Sequence, residues 1–151
     1  MTARALPIIA IVGSALLVLA ACGGCSSSGA ADPGTFTETP AATLNSEAGS
    51  YHIVVHSAPD AQPTRGVNSL RLVFTKASDG SPAMGLDLDV VPWMPAHGHG
   101  SSVKPTVQAG AEPGVYTVSN VNLYMPGLWE IRATIGGSTQ RDHATAQFEV
   151  R

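Results

Sequence analysis

Trp129-Glu130-Ile131-Arg132-Ala133-Thr134-Ile135 is the stretch that decides the fold. Apolar and polar side chains alternate through it one by one. That pattern puts Trp129, Ile131, Ala133 and Ile135 on one face of a strand and Glu130, Arg132 and Thr134 on the other. Pro126-Gly127 precedes the run and Gly136-Gly137 follows it, and both pairs are turn formers. A half-buried β-strand between two turns is the reading.

Working outward, the same period of two recurs. Tyr51, Ile53 and Val55 alternate with His52, Val54 and His56; Leu70, Leu72 and Phe74 alternate with Arg71 and Val73. Leu86, Leu88 and Val90 alternate with Asp87 and Asp89, and Ala144, Ala146, Phe148 and Val150 with Thr145, Gln147 and Glu149. Residues 103–107 form a weaker run whose Pro105 marks an edge strand. Residues 115–123 form another, with a slip of register near Ser119-Asn120. Asp79-Gly80 and Pro113-Gly114 supply further turns. Seven short strands and no helical stretch predict an all-β fold, a seven-stranded immunoglobulin-like β-sandwich with Trp129 at its centre. The disulfide of antibody domains is missing, because both cysteines of the chain, Cys22 and Cys25, precede these strands.

The chain has 151 residues, which suits one domain plus an appendage. Met1 to Arg4 carry one positive charge, and residues 6–21 are apolar or small, the length of a secretory h-region and short for a spanning helix. The run ends in Leu19-Ala20-Ala21-Cys22, which resembles the lipobox of bacterial lipoproteins. Residues 1–21 are thus expected to be a lipoprotein signal peptide, with Cys22 lipidated and holding the chain to a membrane of the cell envelope. Residues 22–50, rich in Gly, Ser, Ala, Thr and Pro, are expected to be a tether, and residues 51–151 the domain. Cys22 and Cys25 form a C-x-x-C, but lipid on Cys22 and the Gly/Ser surroundings speak against a redox pair. A net charge of -3 and the lack of any basic cluster exclude a nucleic-acid partner.

One segment is not explained by folding: Pro92-Trp93-Met94-Pro95-Ala96-His97-Gly98-His99-Gly100. His97 and His99 at i, i+2 can point to one side of an extended segment, and Gly98 lets the backbone bend so that both rings meet one ion. Met94 adds a soft thioether, which suits Cu(I), and the loop holds no carboxylate for Ca or Mg. Counting strands up and down, with residues 103–107 as a strand, brings Met125 to the same end of the sandwich. Met94, His97, His99 and Met125 are therefore the candidate metal ligands. The bland alternative is that the methionines plug the core end and the histidines are solvated. His56 lies towards the same end and is a peripheral candidate, whereas His52 cannot share its ion at four residues along a strand. His143 reads as surface.

The Met-Pro-x-His-x-His loop, followed later by Tyr-Met-Pro-Gly-Leu-Trp-Glu-Ile, resembles the YtkA-like family, whose relatives include the periplasmic domain of FixH-type proteins. That resemblance implies a small exported β-sandwich and an envelope context of copper handling or respiratory-oxidase assembly, with an envelope protein as partner.

No catalytic constellation accompanies these features: there is no G-x-S-x-G, no thiol in the domain and no H-E-x-x-H. Asp87 and Asp89 share one face of a strand but read as its solvated side. A blue-copper centre would need a cysteine in the domain. The expectation is a copper-handling lipoprotein and not an enzyme, the alternative being a structural or interaction module that uses none of these side chains.

Overall fold

A computed structural model describes residues 35–136 and 141–151. The proposed signal peptide, Cys22 and Cys25 lie outside the described residues.

Among the described residues, nine strands form two antiparallel sheets. They are β1 (Ala42–Asn45), β2 (Tyr51–Ala58), β3 (Gly66–Lys76), β4 (Asp87–Met94), β5 (His99–Gly100), β6 (Thr106–Ala109), β7 (Val115–Leu123), β8 (Gly127–Gly136) and β9 (Arg141–Val150). One sheet runs β1-β2-β3-β7-β6 and the other β5-β4-β8-β9. Without β1 and β5, the orders β2-β3-β7-β6 and β4-β8-β9 reproduce the two sheets of the seven-stranded immunoglobulin arrangement. The count of seven is corrected to nine because both additions are short edge strands. β1 lies within the stretch read as tether, and its Ala-Thr-Leu-Asn pairs with β2 from Ala42↔Val55 to Asn45↔His52. Four residues of mixed character carry too little periodicity to separate from a linker.

The faces follow the alternation. Trp129, Leu70, Phe74, Val118, Leu123 and Ile135 have no exposed surface, and Ile131, Phe148 and Val150 pack with them between the sheets. The slip in β7 is a bulge opposite Asn68 and Leu70, with Asn120 at φ 62°. Asparagine tolerates that left-handed conformation better than most side chains, and the extra residue lets Val118 and Val121 both point inward. β6 is the edge strand expected around Pro105, but it begins one residue after the proline, which has no N–H to give a ladder. Asp87 and Asp89 are exposed, and Asp89 meets Lys104 at 3.0 Å on the surface. A gap between the sheets beside Leu44, Leu72, Ala133, Ala144 and Ala146 holds about 20 Å³, far too little for an organic ligand.

One buried charge ties the β1–β2 turn to the opposite sheet. Asp142 on β9 is 6% exposed, and its Oδ1 accepts the N–H of Ala48 at 2.8 Å and of His143 at 2.7 Å. Burial alone would raise its pKa. Hydrogen bonds from the Ser46 hydroxyl, the Ala48 and His143 N–H groups and the Ser50 hydroxyl outweigh it, holding the carboxyl at about 2 against an ordinary 3.8. A depressed folded pKa stabilises the fold above about pH 4 and loses that contribution as pH falls through about 2. Acid titration of unfolding should show a loss of about 2 kcal/mol in that window, absent from Asp142→Asn. An unchanged acid limb in the variant would count against the clamp.

Candidate metal site

β4 runs inward-outward to its end: Val90, Pro92 and Met94 are buried, while Val91 is exposed and Trp93 is half-buried on the outer face beneath the Arg132 guanidinium, 4.9 Å away. Pro95 then opens a four-residue turn. The N–H groups of His97 and Gly98 donate to the Met94 carbonyl at 3.2 and 3.0 Å, and Gly98 adopts φ +68°, which a side chain would resist. The chain returns as β5, with Met94 opposite His99 and Trp93 opposite Gly100. The segment is therefore a tight hairpin and not the extended run expected. Gly98 still serves the expected purpose, since the bend brings the two rings together.

The His97 and His99 imidazoles stand 5.6 Å apart between centroids, tilted by 49°. His97 is exposed on the turn and His99 is half-buried. Cross-strand partners point to the same side of a sheet with Cβ atoms about 4.5–5.5 Å apart. Met94 and His99 are such a pair, so the thioether and the imidazole share one side of the sheet at this end. Met94 is nonetheless a core residue, 2% exposed, and a Cβ on Gly127 would stand 2.7 Å from its methyl. Met125 lies in the β7–β8 connection at the same end, as the strand count requires. It is half-buried against the core, and its carbonyl accepts the Trp129 indole N–H at 2.9 Å. The structure thus brings His97 and His99 into ring contact, and seats Met94 and Met125 in the packed layer at that end.

His56 does not join them. It is buried on the outer face of β2, where its Nδ1 meets the Thr37 carbonyl at 2.9 Å. Residues 35–41 run along this end of β2, with Thr37 N–H on the Ser57 carbonyl and Phe36 stacked under Arg71. The described chain thus enters the fold at the end that carries the histidine loop. His52 is exposed and bonded to Asn45, and His143 is exposed. Among the described residues no three His, Cys, Asp or Glu side chains form a metal-binding group.

Sequence reasoning missed Tyr124. Its ring stacks on His99 at 6.2 Å and 11°, and its hydroxyl lies 3.1 Å from His99 Nδ1. Its carbonyl accepts Arg65 Nε at 3.1 Å, and its ring meets Trp129 edge-on at 5.6 Å. The signal available was its place immediately before Met125, an aromatic at the mouth of the same turn.

No curated protein and no solved structure matches the chain. The YtkA-like family model matches residues 45–134, from the end of β1 into β8, and so covers the histidine hairpin and the Tyr124–Trp129 turn together. The chain belongs to the YtkA-like family.

Proposed function

We propose that this protein is an exported, lipid-anchored copper carrier of the cell envelope, which holds Cu(I) at the His97/His99 hairpin and passes it to an envelope partner without catalysing a reaction. The observation that carries the reading is the contact of the two imidazoles on an exposed turn, with a thioether paired across the strand to one of them. Two imidazoles without a third His or a carboxylate are a poor set for a structural zinc or a hard cation. Met94 and Met125 at the same end would add thioethers to a soft set, ligands that survive an oxidising envelope where thiolates would pair. Lipid on Cys22 would secure the protein to the membrane, with the chain entering the domain at its site-bearing end.

A soluble form, Ser26 to Arg151, titrated with Cu(I) against a chromophoric competitor, is expected to bind one ion. His97→Ala/His99→Ala should abolish that binding while the domain stays folded. A folded wild-type domain that fails to compete would refute the copper reading and leave a protein-interaction module in its place.

A further inference from the structure

We infer that β9 is a docking strand for a second copy of this chain: the two β9 strands pair antiparallel about Gln147 and join two β5-β4-β8-β9 sheets into one. The pairing uses none of the side chains of the candidate metal site.

A sheet edge exposes a row of backbone N–H and C=O groups, and folds blunt such edges with short strands, prolines, lysines or bulges. β1 and β6 have four residues each, Pro105 stands just before β6, and β5 has two residues. β9 is different. It has ten residues, pairs only with β8 among the described residues, and contains no proline, lysine or bulge. Its exposed and buried positions alternate without a break.

His143 marks where the free part of this edge begins. Its carbonyl accepts the Glu47 N–H at 2.7 Å and its own N–H donates to Asp142 Oδ1 at 2.7 Å, so its backbone groups face away from β8 and are already taken. In an antiparallel ladder alternate residues face the same neighbour. Thr145, Gln147 and Glu149 therefore face outward as His143 does, and no described residue bonds to their N–H or C=O. That row is symmetric about Gln147. A two-fold axis there sets Gln147 opposite Gln147 and Thr145 opposite Glu149 of the other copy, and every free N–H meets a free C=O. An axis at Thr145 would instead set Gln147 against His143, whose carbonyl is occupied. The side chains agree with the Gln147 axis. On the inner face Ala146 stands opposite Phe148 of the other copy and Ala144 opposite Val150, small against large, beside the apolar gap that Leu44, Ala144 and Ala146 line. On the outer face Glu149 lies diagonal to His143 of the other copy, where a carboxylate and an imidazole can meet. Val150 pairs with Gly127, so β9 ends at the histidine-bearing end, and antiparallel copies carry their hairpins at opposite extremes with neither covered.

The soluble form, Ser26 to Arg151, carries both sheets and no cysteine, so an introduced thiol can link only two copies. Opposed Cα atoms of a hydrogen-bonded antiparallel pair stand about 5.5 Å apart, inside the range a disulfide spans. Gln147→Cys should therefore give a disulfide-linked dimer on mild oxidation. Glu149→Cys sits about 13 Å along the strand from its counterpart and should give at most about a tenth as much. In sedimentation velocity the wild type should pass from monomer to dimer as its concentration rises from micromolar to millimolar. Gln147→Ala keeps the backbone N–H and should still dimerise. Gln147→Pro removes only an N–H that points away from β8, should stay folded, and should raise the dimer dissociation constant at least about tenfold. A wild type that is monomeric at millimolar concentration overturns the inference. So does equal cross-linking of the two thiol variants, or a dimer that a folded Gln147→Pro leaves unchanged. Where Gln147→Pro does not fold, the thiol pair decides.

Discussion

Replacing Trp129 with alanine is expected to destabilise the domain by about 3–5 kcal/mol, the range for deleting a large aromatic from a packed interior. The indole has no exposed surface and lies on β8, the strand flanked by β4 and β9, with no sheet edge through which the void could collapse. Three separate losses add up. The ring leaves a cavity, the Met125 carbonyl loses its donor, and Tyr124 loses the edge against which it stands. Trp129→Phe restores most of the volume but not the N–H, and should cost only about 1–2 kcal/mol. Urea unfolding followed by far-ultraviolet circular dichroism measures both, with a shift of midpoint and no change of slope. The site should also respond: with Tyr124 unsupported, Trp129→Ala should bind Cu(I) more weakly even where it is still folded. A loss below about 1 kcal/mol for the alanine variant would mean that the indole is not the centre of the core.

That Trp129 belongs inside was legible in the sequence, and the reason is geometric. A period of two survives any uncertainty about where a strand stops, because every residue of a strand votes for the same face. The runs around Ile53, Leu72, Val90, Ile131 and Ala146 each have enough residues to settle the matter. β1 and β5 do not: four residues and two are too few to display a period, and each becomes a strand only because a longer neighbour offers it a ladder. The register slip at Asn120 was legible because a bulge interrupts an otherwise regular pattern. At the site, strand parity placed Met125 at the end of the sandwich that bears the histidine hairpin, since parity depends only on how many times the chain crosses. The role of Tyr124 was not legible. It depends on a ring from the β7–β8 turn lying over a histidine from the β4–β5 hairpin, 25 residues away. The burial of Met94 follows from alternation along β4, yet its thioether was read as part of a loop because the Pro-rich sequence around it resembles one.

Two turn glycines predicted by the same signal are expected to behave very differently. Gly80 and Gly114 both take positive φ, +71° and +76°, where a side chain costs about 1–2 kcal/mol. At Gly80 an added Cβ would meet nothing within 4 Å, so Gly80→Ala should cost that strain and no more. At Gly114 the added Cβ would stand 2.6 Å from the Phe74 carbonyl oxygen, 3.1 Å from Pro82 Cβ and 3.2 Å from the Ala83 nitrogen. None of these is the far end of a side chain that could swing aside. Phe74 is locked on both sides, its N–H on the Gly114 carbonyl at 2.8 Å and its carbonyl accepting the Ala83 N–H at 3.0 Å. A methyl group at Gly114 must therefore break a three-way meeting of backbones, and Gly114→Ala should cost about 3 kcal/mol or more, twice the Gly80 effect or beyond. Thermal unfolding of the two variants side by side makes the comparison. Equal losses would mean that φ alone selects glycine at both turns, whereas the larger loss at Gly114 would show that close backbone approach fixes how the β6–β7 turn is seated on β3, the strand that carries Leu70 and Phe74 into the core.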